Sequence, residues 1–455
     1  MINKIKKKFT NCSGYNKEII INIIGTFVIK GIALVLSLFT MPAYISFFNN
    51  NVVLGLWFTL LSVLNWILTF DLGVGNGLRN YLTKTITRKN HKEAKTYLSS
   101  AYISIGIFSL VIIILFLLIS NQFDWNALFN INKNIVSAPA LDISIKIVFI
   151  GIMIQFLLRL INSVLYALQK AFLTNLLSLI TTIITLIFVF ILPSKNNNYN
   201  IILMSIIHVT AAVLPYLICS FIIFIKKPMR DMKPSIKYFD KNHMRKVLDL
   251  GGRFFFAQIT YMLIIGTNEI FITKLTGNNN VVHYQIYNKF FVLGCTLFSL
   301  ALAPVWSAVT KAIVEKKYDW IKKIYKKLIL AAILGSICEI LMIPFLQFII
   351  NIWLGDNAIN ISYFNAFIFA ILGSLMIFNS VFSSIANGAG KLKVQVICFA
   401  IGAFLKIILS IIFVKVLGNW IGVILATALA LLIYCVIQPI FINKLFDNEF
   451  CDNTR

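Results

Sequence analysis

Apolar residues are concentrated in long runs along the chain, with short polar segments between them. A helix of about 20 apolar residues crosses the hydrocarbon core of a bilayer, which is about 30 Å thick. The runs form two sets of six, near 18–48, 52–70, 96–120, 142–168, 171–193 and 200–225, then near 247–275, 281–310, 328–352, 359–387, 392–417 and 419–443. The pattern predicts an all-α polytopic membrane protein with twelve transmembrane helices.

The composition supports this prediction. Of the 455 residues, 59% are hydrophobic and 13% are charged, whereas soluble domains have about 25% charged residues. A soluble enzyme is therefore excluded, and nucleic acid is not expected as a partner in spite of a net charge of +25. The seven cysteines and four histidines form no CxxC, HxxxH or HExxH motif. The sequence predicts neither a metal site nor a cofactor.

The distribution of basic residues predicts the topology. Thirty-one Lys and Arg residues lie in the two tails and the even-numbered connections, and five lie in the odd-numbered connections. Basic residues are enriched on the cytoplasmic side of a membrane. We therefore expect a multi-pass membrane protein with both termini in the cytoplasm.

A weak internal repeat divides the chain. Residues 49–53, Asn-Asn-Asn-Val-Val, recur 229 positions later as residues 278–282, each time between the first and second span of a set. Six helices per half give the two halves the same orientation, as in parallel repeats. The prediction is an N-lobe over 1–226, a basic cytoplasmic linker over 227–246 and a C-lobe over 247–455.

Five cations fall inside predicted spans. They are Lys30, Arg159, Arg253, Lys289 and Lys406. A charge at the centre of a bilayer costs about 2.5–3.5 kcal/mol on insertion scales, so such residues indicate a functional site. For Arg253, near the start of its span, snorkelling to the cytoplasmic interface is the alternative.

Polar side chains follow these cations at helical spacing and predict a cationic cavity lined by helices of both halves. The polar residues are Asn22, Thr26, Gln155, Asn162, Gln258, Tyr261 and Gln285. Glu269 and Glu339 are the two carboxylates well inside spans. They are candidates either for pairing with the cations or for binding a coupling cation or proton, and the sequence leaves both open. A cationic cavity selects an anion, and phosphate suits Arg and Lys.

Three short motifs carry a resemblance to a known family. The Asp71-Leu-Gly73-Val-Gly75 sequence leads to Arg79 at the end of the second span, Pro304 and Trp306 lie at the end of the eighth, and residues 353–355, Trp-Leu-Gly, close the ninth. With the twelve spans, this set resembles the polysaccharide transport family of the MOP (multidrug/oligosaccharidyl-lipid/polysaccharide) superfamily. Where members of that family carry an acidic residue shortly after the Pro-x-Trp element, this chain has Lys311.

The resemblance implies two six-helix lobes of the MOP/MATE type and transport by alternating access. It implies a flippase that moves an undecaprenyl-diphosphate-linked oligosaccharide repeat unit, of O-antigen, capsule or a similar glycan, to the outer leaflet. Membrane lipid, a polysaccharide polymerase and a chain-length regulator are the implied partners. In this hypothesis Lys30, Arg159, Lys289 and Lys406 neutralise the diphosphate.

Two alternatives remain. The first is a MATE-like drug or cation antiporter, which would favour a carboxylate-lined cavity, whereas the spans here hold five cations and two carboxylates. The second is a membrane polymerase or glycosyltransferase that uses the same lipid donor. Its active site would need a substantial outer loop, and the longest one here offers only Asp124, Lys133 and the flanking Asp142.

Overall fold

The computed structural model describes residues 14–69, 73–129, 131–277, 279–354 and 359–451. Helices account for 86% of the structure, and the described residues contain no β-strand. The chain divides into two compact units, Met1–Gly252 and Arg253–Arg455. The all-helical fold predicted from the apolar runs is confirmed.

The first unit contains nine complete helices and the start of a tenth within its described residues. They are α1 (Gly14–Phe48), α2 (Asn51–Thr69), α3 (Val74–Thr87), α4 (His91–Ser120), α5 (Trp125–Leu128), α6 (Ala138–Leu158), α7 (Leu160–Ala167), α8 (Ala171–Ile191), α9 (Asn197–Ile225) and the first residues of α10 (Lys241–Ile265). A short 3₁₀ turn, Ile236–Tyr238, lies between α9 and α10.

The second unit contains the rest of α10 and the helices that follow it. They are α11 (Asn268–Thr276), α12 (Asn279–Val314), α13 (Tyr318–Met342), α14 (Leu346–Leu354), α15 (Tyr363–Ala389), α16 (Lys393–Leu417) and α17 (Ile421–Cys451). A 3₁₀ turn at Ile343–Phe345, which includes Pro344, joins α13 to α14. Pro304 lies within α12.

Ten helical stretches in the described residues are long and apolar enough to cross a membrane. They coincide with the third to the twelfth predicted spans. The first two predicted spans contain shorter apolar stretches, Ile21–Ala33 and Val52–Leu61, within α1 and α2. Large apolar side chains on these helices are exposed, including Leu118 (68%) and Phe404 (66%). Lipid covers such side chains in a bilayer, so the exposure fits a membrane protein; twelve spans and cytoplasmic termini stay predictions.

The glycine-rich motif forms a separate helix rather than the end of the second span. Gly73, immediately before α3, adopts φ +67°. This left-handed conformation costs glycine little. Leu78 and Leu82 on α3 are fully buried. The sequence pattern missed this helix because α3 is amphipathic and short. Asp71, at the start of the motif, lies outside the described residues, as do Lys4, Lys6, Lys7, Lys8 and Gly355.

The basic segment 227–246 packs on the first unit. The Ser99 hydroxyl accepts a hydrogen bond from the Ser235 amide at 3.0 Å. The Ser100 hydroxyl accepts from the Asp240 amide at 3.0 Å and donates to the Asp240 carbonyl at 3.1 Å. Met229 and Met232 in the same segment are buried. The segment is therefore held by specific contacts to α4.

Candidate functional site

The motif helix α3 carries a buried cation. The Arg79 side chain is 3% exposed, and its guanidinium carbon lies 4.1 Å from the centroid of the Tyr166 ring on α7. Burial lowers the pKa of Arg79 to about 9, with a smaller opposing effect from Tyr166, so the group keeps its charge at neutral pH. The Ser163 hydroxyl donates to the Gly75 carbonyl at 2.7 Å and ties α7 to α3. The motif therefore forms a buried helix junction with a charged centre.

Close backbone approach completes this junction. A Cβ atom on Gly77 would lie 2.6 Å from the Val247 carbonyl oxygen and 3.1 Å from the Gly251 nitrogen on α10. A Cβ atom on Gly251 would in turn lie 3.0 Å from the Gly73 carbonyl oxygen. Only glycine allows these two helices to approach so closely, and this explains Gly77 and Gly251.

Two of the predicted cations lie in the first unit. Lys30 is half-buried on α1, and Arg159 is half-buried at the short break between α6 and α7. The Arg159 amide donates to the Gln155 carbonyl at 2.8 Å, and its carbonyl accepts from the Asn162 amide at 2.9 Å. The Asn162 side-chain oxygen is buried and has no hydrogen-bond partner in the described part of the chain.

The polar face of α1 makes contacts within the first unit. The Asn22 amide group donates to the Gln169 carbonyl at 2.8 Å, and its oxygen accepts from the Phe172 amide at 3.1 Å. The Asn175 side chain donates to the Thr26 hydroxyl at 3.4 Å. Asn22 and Thr26, predicted to line a cavity, thus join α1 to the beginning of α8.

The remaining polar residue of this unit behaves in the same way. The Gln155 side chain is buried and donates to the Ala212 carbonyl of α9 at 3.4 Å. Asn22, Thr26 and Gln155 therefore contact neighbouring helices of this unit, and their role in lining a cavity stays a prediction.

The second unit holds the other cations and polar residues. Arg253, Gln258 and Lys289 are exposed. The Tyr261 ring is half-buried, with its centroid 5.4 Å from that of the Phe399 ring. The role of Arg253 and Lys289 as substrate ligands stays a prediction.

Glu269 and Gln285 form a pair. The Gln285 side-chain amide donates a hydrogen bond to the Glu269 carboxylate, and Glu269 is exposed. The pair joins α11 to α12. Gln285 is neutral, so this contact is neither of the two predicted roles of Glu269, pairing with a cation or binding a coupling cation or proton, and both stay predictions.

Lys406 is fully buried, at 0% exposure. Its ammonium group donates to the Ile264 carbonyl at 2.6 Å, to the Thr267 hydroxyl at 2.8 Å and to the Leu263 carbonyl at 3.5 Å. These acceptors lie at the break between α10 and α11. The sequence identified Lys406 but not the break; its only signal was the polar Thr-Asn pair, 267–268, in an apolar run. Substrate binding by Lys406 stays a prediction.

Glu339 is buried, with 5% exposure, and neither carboxylate oxygen has a hydrogen-bond partner among the described residues. Two glycines on neighbouring helices make room for it. A Cβ atom on Gly294 would lie 3.3 Å from one carboxylate oxygen, and a Cβ atom on Gly373 would overlap the carboxylate. An unpaired charge in such a place is costly, so the geometry favours a protonated Glu339.

The Pro-x-Trp motif joins α12 to neighbouring helices. Pro304 is buried, and the Trp306 ring stacks on the Phe254 ring with centroids 5.2 Å apart. One turn later, the Thr310 hydroxyl donates to the Gly388 carbonyl of α15 at 2.8 Å. This motif, like the glycine motif, therefore builds a close helix junction.

The first unit also contains a pocket that the sequence did not indicate. It has a volume of about 420 Å³ and is lined by Ala33, Thr40, Tyr44, Phe58, Thr181, Thr182, Thr185, Leu186 and His208. The Trp57 ring meets His208 edge-on, with ring centroids 5.6 Å apart. In the described residues no three His, Cys, Asp or Glu side chains are grouped as a metal site requires.

The fold is that of the MATE transporters. The chain matches a MATE crystal structure in the straight conformation with a TM-score of 0.73 and 14% identity, over 96% of this chain and 97% of that one. An outward-facing multidrug resistance MATE family transporter of the MOP superfamily matches with a TM-score of 0.72 and 14% identity, over 95% and 97%. The Vibrio cholerae MATE transporter in the bent form matches with a TM-score of 0.70 and 14% identity, over 95% of this chain and 98% of that one.

The sequence itself is similar to a protein of Yersinia pseudotuberculosis named Putative O-antigen export protein. The two are 24% identical over 379 residues, which are 77% of this chain and 80% of that protein. An uncharacterized membrane protein of Methanocaldococcus jannaschii is 24% identical over 87% of this chain and 78% of its own length. No protein-family model matches the chain.

Proposed function

We propose that this protein is a flippase for a lipid-linked oligosaccharide with a diphosphate link, such as a repeat unit of O-antigen or capsule. The observation that carries the proposal is the similarity to the Yersinia O-antigen export protein over most of both chains. The MATE fold supports a transporter. Both comparisons point to transport rather than to an enzyme.

The charges within the spans favour an anionic substrate. Four of the five intramembrane cations, Lys30, Arg159, Arg253 and Lys289, are half-buried or exposed. Of the two carboxylates, Glu269 has a hydrogen-bond partner and Glu339 lies in a glycine-lined space that favours its neutral form. We propose that the four cations contact the diphosphate in the course of transport by alternating access, as charge-assisted hydrogen bonds suit phosphate.

Complementation of a flippase-null bacterial strain tests the proposal. Loss of one hydrogen bond to a charged group costs about 1.5–3 kcal/mol, or about ten- to hundredfold in binding. We expect Lys30→Ala and Arg159→Ala to reduce surface polysaccharide by a factor in that range, and Lys30→Arg to retain most of it. Lipid-linked repeat units should accumulate in the cells that carry the alanine variants.

Lys415→Ala is the matched control. Lys415 is an exposed cation near the end of α16, and its replacement by alanine also removes one positive charge. Its surface polysaccharide should equal that of the parent chain. Full complementation by the Lys30→Ala/Arg159→Ala double variant at normal protein levels would contradict the proposed role of these cations. Failure of the unsubstituted chain in every polysaccharide-producing host would contradict the flippase proposal itself.

The MATE fold also supports a second candidate function, an antiporter for cationic drugs. An antiporter would lower the sensitivity of a drug-hypersensitive strain to cationic dyes, and a flippase would not. The proposed location is the bacterial inner membrane, with a repeat-unit polymerase and a chain-length regulator as the proteins that use the flipped product.

A further inference from the structure

The break between α10 and α11 presents oxygen atoms inside the second unit. The last carbonyls of a helix have no intrahelical N–H donor, and those of Leu263 and Ile264 belong to the last turn of α10, where the Leu263 carbonyl accepts from the Thr267 hydroxyl at 2.7 Å. Ile264 is fully buried, and Asn268, which begins α11, is 1% exposed. A buried carbonyl without a donor is costly, so the Ile264 carbonyl requires a cation or a donor.

The ammonium group of Lys406 is the donor at this break. Its three N–H groups are directed to the Ile264 carbonyl, the Thr267 hydroxyl and the Leu263 carbonyl, at 2.6, 2.8 and 3.5 Å. The ammonium also lies 5.5 Å from the centroid of the Phe271 ring, which favours a cation. In the described part of the chain no carboxylate lies within 4 Å of it. All the groups that contact this charge are therefore neutral oxygens and an aromatic face.

The surrounding helices are built to hold Lys406 in this position. A Cβ atom on Gly402, one turn earlier on α16, would lie 2.7 Å from the Ala430 carbonyl oxygen and 3.2 Å from Ile264. The glycine thus lets α16 approach both α17 and α10. The Thr427 hydroxyl of α17 donates to the Asn268 side chain at 2.8 Å, which fixes the far side of the break.

A set of unwound carbonyls and hydroxyls at a broken transmembrane helix is also the arrangement that coordinates Na⁺ in secondary transporters. We propose that Lys406 is a built-in cation that occupies this oxygen-lined break, in the position that a free monovalent cation would otherwise fill. Lys406 then holds the two half-helices together rather than binding the substrate, and the second unit needs no bound Na⁺ at this break. The Ser410 hydroxyl, one turn further along α16, is fully buried and has no hydrogen-bond partner among the described residues.

The inference predicts that removal of the lysine creates a sodium site. Purified full-length protein in detergent is compared in NaCl and in choline chloride at equal ionic strength, with thermal unfolding as the readout. The parent chain should have the same melting temperature in both salts. Lys406→Ser should melt about 2–12 °C lower in choline chloride, because it leaves the buried Ile264 carbonyl without a donor. NaCl should restore at least half of this loss in a saturable manner.

Three further variants separate the inference from a general loss of packing. Lys406→Met fills the same space without charge and should be destabilised in both salts. Thr267→Ala keeps the ammonium, so it should lose some stability and show no response to Na⁺. Lys415→Ala, on the same helix, should behave as the parent chain.

Equilibrium binding of radioactive Na⁺ provides a direct readout on the same proteins. Saturable binding by Lys406→Ser and none by the parent chain would support the inference. Saturable Na⁺ binding by the parent chain that raises its melting temperature would overturn it. So would a Lys406→Ser variant that matches Lys406→Met in both salts, or one as stable as the parent in choline chloride. None of these results depends on the substrate that the protein transports.

Discussion

The approach of α3 to α10 gives a sharp prediction for Gly77→Ala. The new Cβ atom would lie 2.6 Å from the Val247 carbonyl oxygen and 3.1 Å from the Gly251 nitrogen. Both neighbours are backbone atoms of a helix, so neither can rotate away as a side chain would. Overpacking of this kind costs about 1–3 kcal/mol.

The helix propensity of alanine opposes this cost. Alanine in place of glycine in a helix interior stabilises by about 0.5–1 kcal/mol. The net destabilisation is therefore about 0–2.5 kcal/mol. For a unit of this size, each kcal/mol of lost stability lowers the melting temperature by about 2–4 °C. The expected fall in melting temperature is therefore up to about 10 °C.

Gly106→Ala provides the matched control. Gly106 is also helical, in α4, and a Cβ atom there would meet no atom within 4 Å. This variant should gain only the stabilisation that alanine brings to a helix interior, and it should melt a few degrees higher than the parent chain. Thermal unfolding of the purified proteins in the same detergent measures the difference. A Gly77→Ala variant that melts as high as Gly106→Ala would refute the close approach of the two helices.

Two further predictions concern the buried ionisable side chains of Arg79 and Glu339. Tyr166→Leu removes the ring beneath Arg79 and should cost about 0.5–2 kcal/mol, whereas Tyr166→Phe keeps the ring and most of the stability; equal melting temperatures for the two variants would contradict a cation–π contribution. Gly373→Ala should lower the melting temperature when Glu339 is present and not in a Glu339→Ala background, because the added methyl group overlaps the carboxylate. A double-mutant cycle measures this coupling, expected at about 0.5–3 kcal/mol, and additive effects would disprove the contact.

Much of the fold follows from local sequence signals. The predicted span 359–387 corresponds to α15, Tyr363–Ala389. The Ser362 hydroxyl caps this helix by accepting from the Asn365 amide at 3.4 Å, and Gly390 ends it with φ +70°. Apolar length, a capping serine and a terminal glycine are all local properties, so the chain reveals them without knowledge of its neighbours.

The candidate site depended on information that periodicity does not contain. Helical spacing predicts a polar face on α1 that includes Asn22, but it does not reveal that Asn22 contacts the Gln169 carbonyl and the Phe172 amide. Lys406 was identified as an intramembrane charge, whereas its acceptors lie about 140 residues earlier, at a break marked only by Thr267 and Asn268. A helical wheel gives the direction of a side chain and not the helix that it meets.

The packing of the segment after α9 has a consequence for how the gene can be divided. The sequence repeat suggests a cut near residue 226, but Met229 and Met232 are buried against the first unit, and Ser235 and Asp240 bond to α4. That unit extends to Gly252. A fragment that stops at residue 226 would lack Met229 and Met232 and would leave the apolar side chains that pack against them exposed. The half of the chain suggested by the sequence repeat and the compact unit of the structure therefore end at different residues.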